Sequence, residues 1–151
     1  MSIEAAIKSI HKMGITTKTV INLMYTSRIV EEAIILALKP HHLTIPQYNV
    51  LRILRGQKGN PANLSTIQER MIDRSSNTTR LVDKLINKGW VARNTCAQNR
   101  RKVEIFITEK GLETLQILDP LTEETNESIV SGLSLEELEN LNHLLDQLRE
   151  S

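Results

Sequence analysis

A chain of 151 residues with 40% hydrophobic side chains can form one domain with a substantial core, and it has no apolar run of the ~18 residues that a membrane span needs. It also has no continuous apolar segment of the secretory type near its start, and its single cysteine, Cys96, can form no internal disulfide, so we expect a cytoplasmic protein that does not contact a membrane. Its net charge of +1 is unevenly distributed, with +2 over residues 1–44, +8 over residues 45–111 and −9 over residues 112–151, which predicts two roles in one chain.

Four helices are predicted before Trp90 from apolar residues spaced three and four apart. They cover residues 17–38, 44–54, 64–71 and 75–89. Thr44 is the expected N-cap of the second helix and Ser75 that of the fourth, whereas either Asn63 or Ser65 could cap the third. A loop rich in glycine and asparagine separates the second helix from the third, and a tight turn separates the third from the fourth.

From Trp90 onward the apolar residues alternate with polar ones on both sides of a polar turn, which predicts a β-hairpin. The residues expected at its tip are Gln98, Asn99, Arg100 and Arg101. The remainder is predicted to be helical, with Thr108 and Ser134 as N-caps and with Pro120 kinking the first of these two helices.

Two short helices joined by a tight turn and followed by a hairpin form the arrangement of a winged helix-turn-helix. Four segments carry a resemblance to a known family, namely 43–54, 65–71, 75–91 and 99–111, read as LTIPQYNVLRIL, STIQERM, SSNTTRLVDKLINKGWV and NRRKVEIFITEKG. With these segments the sequence resembles the MarR family of bacterial transcription regulators over nearly its whole length. The segment 99–111 is similar to the wing signature of the family, which closes on Thr-x-x-Gly.

The resemblance implies a mostly α-helical fold with a small β-hairpin wing and a terminal-helix dimerisation domain. Residues 44–111 would form the winged helix-turn-helix DNA-binding domain, and residues 1–43 and 112–151 would form the helical dimerisation region. The implied function is that of a homodimeric transcription regulator, most simply a repressor, on a pseudo-palindromic operator whose half-sites are ~34 Å apart.

The basic segment coincides with the predicted helix-turn-helix, and phosphate neutralisation provides much of the affinity for double-stranded DNA. Polar side chains at the exposed start of the fourth helix can donate to phosphates and to base edges in the major groove, and arginines at a hairpin tip can enter the minor groove. The candidate DNA-binding residues are Arg70, Arg74, Ser75, Ser76, Asn77, Thr79, Arg80, Arg100 and Arg101.

Simpler roles remain open for several of these residues. The serines and Asn77 are also ordinary capping residues, Arg80 could pair with Asp83, and Arg70 and Arg74 could be surface charges. Arg101 occupies the wing-arginine position of the family, but Asn99 stands where the family usually has an aspartate that holds the wing. The brace on Arg101 is therefore expected to be weaker or different.

Family members commonly respond to a small aromatic ligand, and the resemblance implies a small-molecule effector bound near Asn22, Tyr25, Tyr48 and Trp90. Each of these residues is equally well explained as part of the core.

No nucleophile motif, glycine-rich phosphate loop or metalloprotease motif occurs, so we expect no enzymatic activity and no cofactor. His41 and His42 have no nearby ligand partner and Cys96 lies in a wing strand, so we expect neither a metal site nor a redox switch. The alternative function is that of an architectural or adaptor winged-helix protein without gene-specific regulation.

Overall fold

The chain folds into seven α-helices and one two-stranded antiparallel sheet in a computed structural model, which describes residues 1–151 apart from the side chain of Arg100. In chain order the elements are α1 (Ile3–Ala6), α2 (Ile15–Leu38), a 3-10 turn (Lys39–His41), α3 (Ile45–Gly56), α4 (Leu64–Arg70), α5 (Thr78–Asn87), β1 (Val91–Cys96), β2 (Asn99–Ile107), α6 (Glu109–Val130) and α7 (Leu135–Glu150). The predicted fold class, mostly helical with a small hairpin, is confirmed.

Two predicted helix starts are confirmed by side-chain hydrogen bonds. Thr44 Oγ1 accepts from the backbone N–H of Gln47 at 3.3 Å, and the Gln47 carboxamide accepts from the backbone N–H of Thr44 at 3.2 Å. Ser134 and Glu137 make the same reciprocal pair at the start of α7. Each pair satisfies backbone donors that a helix start leaves without partners, which fixes where α3 and α7 begin.

The prediction that Ser75 caps α5 is wrong, because α5 begins at Thr78 and Asn77 is its N-cap. The Asn77 carboxamide accepts from the backbone N–H of Arg80 at 3.1 Å. Residues 75–78 are all of cap-forming types, so side-chain preference alone could not choose among them. For α4, Asn63 and not Ser65 is the cap, accepting from Thr66 N–H at 2.7 Å.

The hairpin pairs its strands from Val91 opposite Ile107 to Thr95 opposite Val103, and the register then shifts so that Cys96 lies opposite Asn99. The predicted tip is wrong, because the turn consists of residues 97 and 98 only, and residues 99, 100 and 101 belong to β2. A solvent-exposed strand can form its backbone ladder without apolar side chains, so the polar stretch looked like a turn. β2 carries three more residues, 100–102, between the last two pairs, which makes the end of the hairpin irregular.

The chain divides into two compact units. One, here the winged-helix unit, is Ala37–Ser128, and the other, here the helical unit, consists of Met1–Leu36 and Ile129–Ser151. In the winged-helix unit, α3 packs against α4, α5 and β2, and α5 also packs against α4 and β1. Ala62 adds a backbone bridge to the central strand residue Ile105, with N–H···O distances of 2.9 and 2.8 Å.

The hydrophobic core of the winged-helix unit draws on every one of its helices and strands. Each large apolar side chain that is fully buried contributes about 1.5–3 kcal/mol to folding. The buried apolar residues are Leu38, Leu43, Val50, Leu51, Leu54, Ala62, Ile67, Met71, Val82, Leu85, Trp90, Val91, Ile105, Leu115 and Leu118. These contacts form a rigid support for the exposed residues of α5 and the hairpin.

The helical unit has little buried apolar surface of its own. Among its described residues Ile3 is the single buried apolar side chain, and α7 has no buried residue at all. Large apolar side chains along α2 and α7 are exposed instead, namely Ile15, Val20, Met24, Tyr25, Ile29, Ile35, Leu36, Leu135, Leu141, Leu144 and Leu148.

Candidate nucleic-acid interface

The turn between α4 and α5 is held by hydrogen bonds to one side chain within it and to one side chain on α3. The carboxylate of Asp73 accepts from the backbone N–H of Ser75 at 2.9 Å and from its hydroxyl at 2.5 Å. These hydrogen bonds from Ser75 lower the pKa of Asp73 below its ordinary value. Asn49 on α3 accepts from the backbone N–H of Ile72 at 2.9 Å. Ser75 is thus a partner of Asp73 within the turn, and Ser76 is half-buried beside it.

The start of α5 separates buried from exposed side chains at consecutive positions. Thr78 is 6% exposed, whereas Asn77, Thr79 and Arg80 are exposed. These three residues come from the first turn of a helix whose Val82 and Leu85 face the core, so they lie on the opposite, solvent-facing side. A helix presented in this way can place its first turn in the major groove of DNA.

The sequence left open whether Arg80 pairs with Asp83, and in the structure Asp83 pairs with a different arginine. The Asp83 carboxylate accepts from Nη1 of Arg93 on β1 at 3.3 Å. Arg80 makes no ion pair with any residue that the structure describes. Its guanidinium is free to contact a phosphate or a base edge, and the Arg93–Asp83 pair ties the hairpin to the same helix.

Arg70 and Arg74 flank the turn, and both are exposed. Neither has an acidic partner in the described part of the chain. Arg70 is the last residue of α4, and the backbone carbonyl of Arg74 accepts from the side chain of Gln68. Cations placed around a helix-turn-helix in this way are suited to phosphate contacts.

The hairpin has a local brace at the position where the family aspartate is missing. Oδ1 of Asn99 accepts from the backbone N–H of Arg101 at 3.1 Å. A neutral amide therefore supplies the acceptor, and it holds the backbone of Arg101 without a charge. The Arg101 side chain is exposed, and that of Arg100 lies outside the described part of the structure.

Sequence reasoning missed further basic side chains on the winged-helix unit. Lys84 follows Arg80 by one helical turn, Lys58 lies in the loop after α3, and Lys102 adjoins Arg101. All three are exposed and none is ion-paired within the described residues. The four-residue spacing on α5 was a signal that could have identified Lys84.

A groove of 460 Å³ lies between the start of α4 and the hairpin. It is lined by Asn63, Leu64, Ser65, Asn99, Arg101, Lys102 and Val103.

Two of the four candidate effector residues belong to the winged-helix unit, where they have structural contacts. Tyr48 donates its hydroxyl to Thr122 at 3.2 Å, and the guanidinium of Arg52 lies 5.8 Å from the centre of its ring. Trp90 is 8% exposed, with the ammonium of Lys88 at 5.0 Å from its ring centre. No hydrogen bond or ring contact joins Tyr48 to Trp90 within the described residues.

The other two candidates, Asn22 and Tyr25, are exposed on α2 in the helical unit. Asn22 lines a groove of 350 Å³ together with Ile15, Lys18, Thr19, Leu23, Thr26 and Leu141, and Tyr25 does not. A neighbouring groove of 510 Å³ is almost entirely apolar and includes Val20, Met24 and Leu148.

Residues that the sequence weighed for other roles have ordinary positions. His41 ends the 3-10 turn and His42 follows it in the left-handed conformation with φ of 59°. Cys96 is a free, half-buried thiol at the irregular end of the hairpin. Over the described residues, no group of three or more His, Cys, Asp or Glu side chains is arranged to hold a metal ion. Within the same part of the chain, no helix combines the length and apolarity that crossing a bilayer requires.

A helix-turn-helix braced by side chains, an exposed recognition helix and an adjoining hairpin together define a winged helix-turn-helix protein of the DNA-binding class. Residues 43–103 match the model of the MarR family. This segment is therefore similar to the MarR family of winged-helix transcription regulators, whose members are transcription factors and not enzymes.

Solved structures share this fold across most of the chain. BpsR from Bordetella bronchiseptica, described for regulation of its DNA binding by 6-hydroxynicotinic acid, is 20% identical, with 93% of this chain and 99% of that chain covered and a TM-score of 0.80. A MarR transcription factor from Planctomyces limnophilus is 27% identical, with 91% and 99% covered and a TM-score of 0.71. A mutant MarR from E. coli in complex with operator DNA is 21% identical, with 83% and 89% covered and a TM-score of 0.74.

Proposed function

We propose that this regulator is a homodimeric repressor that binds a pseudo-palindromic operator through α5 and the hairpin. The observation that supports it best is the free guanidinium of Arg80 on the exposed first turn of α5, beside an Asp83 that is already paired with Arg93. An unpaired arginine on a recognition helix can bind a guanine edge through two hydrogen bonds. The E. coli relative solved with operator DNA supports the same use of the fold.

Within this proposal the nine candidate residues divide by task. Asn77, Thr79 and Arg80 contact the major groove, and Arg70 and Arg74 contact phosphates beside it. The hydroxyl oxygen of Ser76 is buried, so we assign Ser76 to the support of the turn and not to DNA contact. Arg101 enters the minor groove, and we extend the same task to Arg100. Ser75 supports the turn through Asp73 and contributes less to DNA affinity than the other residues.

The homodimer is supported by the exposed apolar side chains of the helical unit. Surfaces of this kind on α2 and α7 are energetically costly in water and are typical of a subunit interface. We propose residues 1–43 and 112–151 as the dimerisation region and residues 44–111 as the DNA-binding domain. A two-fold dimer would hold two recognition helices about 34 Å apart, one turn of B-DNA.

We further propose that a small-molecule effector releases the repressor from DNA. BpsR, whose DNA binding is regulated by 6-hydroxynicotinic acid, supports this regulation by analogy. The groove that Asn22 lines, at 350 Å³, lies within the usual size range of small-ligand sites, about 300–1,000 Å³. Asn22 is therefore a better candidate for effector contact than Tyr48, whose hydroxyl already bonds to Thr122, or Trp90, whose indole N–H is buried.

We propose that the protein is cytoplasmic. The test of its function is a nuclease footprint on the DNA upstream of its own gene. We expect the wild type to protect a pseudo-palindrome, and both Arg80→Ala and Arg101→Ala to weaken that protection. Arg28→Ala is the matched control, because Arg28 lies on α2 and is paired with Glu31 at 2.8 Å. Equal binding to unrelated sequences would instead support the architectural or adaptor alternative.

A further inference from the structure

Gln68 on α4 bridges the two ends of the turn that leads into the recognition helix. Its Nε2 donates to the backbone carbonyl of Arg74 at 2.8 Å, and its Oε1 accepts from the hydroxyl of Thr78. Both polar atoms of one carboxamide are thus engaged, one at the turn and one at the first residue of α5.

Thr78 gives this bridge its importance. It is 6% exposed and is one of two buried polar residues in the described part of the chain. A buried hydroxyl without a hydrogen-bond partner is costly, so the position of Thr78 is tied to that of Gln68. Because Thr78 is the first residue of α5, the same bond fixes where α5 begins relative to α4.

Thr79 and Arg80 follow Thr78 directly, and they are two of the three residues that we propose contact the major groove. Reading a base edge requires side chains to be held within about 0.5 Å of the productive position. Phosphate neutralisation, by contrast, depends on charge and tolerates small displacements. A group that orients α5 should therefore affect recognition of sequence more than general affinity for DNA.

We propose that Gln68, acting through Thr78 and Arg74, is a positioning residue for sequence recognition, although it contacts no DNA itself. This inference rests on the proposed function, because it assumes that α5 reads an operator. It assigns operator specificity in part to a neutral side chain of α4.

The test compares affinities for the footprinted operator and for a shuffled duplex of the same length. Gln68→Met keeps the length and neutrality of the side chain and removes both hydrogen bonds, and Thr78→Val keeps the shape of the threonine and removes its donor. We expect each to lower operator affinity by about tenfold, in line with leaving buried polar groups unpaired. Affinity for the shuffled duplex and its salt dependence should stay at wild-type values.

Two further variants separate positioning from folding. Thr78→Ser retains the hydroxyl and should keep wild-type operator affinity. Ser65→Ala is the matched control on α4, because the Ser65 hydroxyl donates only to Glu69 at 3.2 Å and does not reach the turn. Thermal unfolding of each variant is measured alongside, and the Thr78→Ser and Thr78→Val pair decides the question if Gln68→Met does not fold.

The outcomes for the two proposals are distinguishable. A wild type that binds both duplexes equally contradicts the proposed function. A wild type that prefers its operator, together with Gln68→Met and Thr78→Val variants that lower both affinities alike or neither, overturns the positioning role.

Discussion

Gly111 is the glycine at which an added Cβ atom would meet the closest contacts. A Cβ atom there would lie 2.4 Å from the backbone oxygen of Trp90 and 2.7 Å from Cγ1 of Ile107. Backbone at that distance cannot move aside without displacing the junction between β2 and α6. These distances explain why the Thr-x-x-Gly sequence that closes the hairpin ends in glycine. The threonine has its own role there, because the Thr108 hydroxyl accepts from the backbone N–H of Gly111 at 3.2 Å.

We predict that Gly111→Ala lowers the free energy of unfolding by about 1–3 kcal/mol, the usual cost of overpacking. Gly132→Ala is the matched control, because a Cβ there would meet no atom within 4 Å. Urea unfolding of both variants checks the prediction. Equal midpoints for Gly111→Ala and the wild type would show that the junction is looser than these distances imply.

The turn residue Asp73 gives a second prediction at this scale, on pH. Because its pKa is lowered in the folded chain by hydrogen bonds from Ser75, the stabilisation it provides is present above the ordinary aspartate pKa of ~3.9. That stabilisation disappears as the pH falls through the lowered value. An NMR titration should find a carboxyl pKa below the ordinary value, returning toward it in Ser75→Ala. An unchanged pKa in that variant would contradict the assigned cause.

At the scale of elements, α3 and α6 are joined by two polar contacts on either side of Pro120. Nη1 of Arg55 reaches both carboxylate oxygens of Asp119, at 3.0 and 2.8 Å, and Tyr48 donates to Thr122 at 3.2 Å. Pro120 has no N–H for the helix ladder, so α6 lacks one of its own hydrogen bonds here. The contacts with α3 support α6 at this position.

We predict that a double-mutant cycle with Arg55→Met and Asp119→Asn gives a coupling free energy of about 0.2–1 kcal/mol, because both side chains are partly exposed. Urea unfolding of the wild type, the two single variants and the double variant provides it. Arg93→Met with Asp119→Asn serves as the uncoupled comparison, since Arg93 pairs with Asp83. If the changes in the free energy of unfolding for Arg55→Met and Asp119→Asn were fully additive, the ion pair would not support α6 against α3.

The sequence predicts those elements whose boundaries depend on residues close to them in the chain, and it fails where a boundary depends on contacts made in the folded structure. Apolar spacing places the helices, and the Thr44 and Ser134 caps follow from side chains near them in sequence. The start of α5 cannot be predicted in this way. It depends on the hydrogen bond that Ser75 donates to Asp73 and on the one that Thr78 donates to Gln68, ten residues earlier. Arg80 was likewise ambiguous until the partner of Asp83 was known. The short helix α1 was missed, because four residues offer too little periodicity to recognise.

At the scale of the whole molecule, the charge partition matches the proposed division of the chain into a DNA-binding part and a dimerisation part. The segment with net charge +8 contains α4, α5 and the hairpin, and the segment with net charge −9 contains α7 and most of α6. Acidic terminal helices disfavour DNA binding at the wrong face, in addition to their proposed part in the dimer. The net charge of +1 therefore conveys little about the partner of this protein.

The exposed apolar residues of α7 carry the prediction for assembly. Light scattering at micromolar concentration should give the mass of two chains for the wild type. Leu144→Glu, at a residue that is 52% exposed in the single chain, should shift the mass toward one chain because it places a charge in the interface. Asn142→Glu is the control, because Asn142 is already polar and lies two residues, about 200°, around α7 from Leu144. A monomeric wild type would contradict the dimer directly.

The central claim is that the winged-helix unit recognises a particular DNA sequence, and the ratio of two affinities tests it most directly. The footprinted operator and a shuffled duplex are titrated with the wild type and with Arg80→Ala over a range of salt concentrations. We predict that the wild type binds the operator at least about 10³-fold more tightly, and that Arg80→Ala reduces this ratio by about tenfold or more through the loss of a base contact. Affinities for the two duplexes that are equal at every salt concentration would contradict the claim.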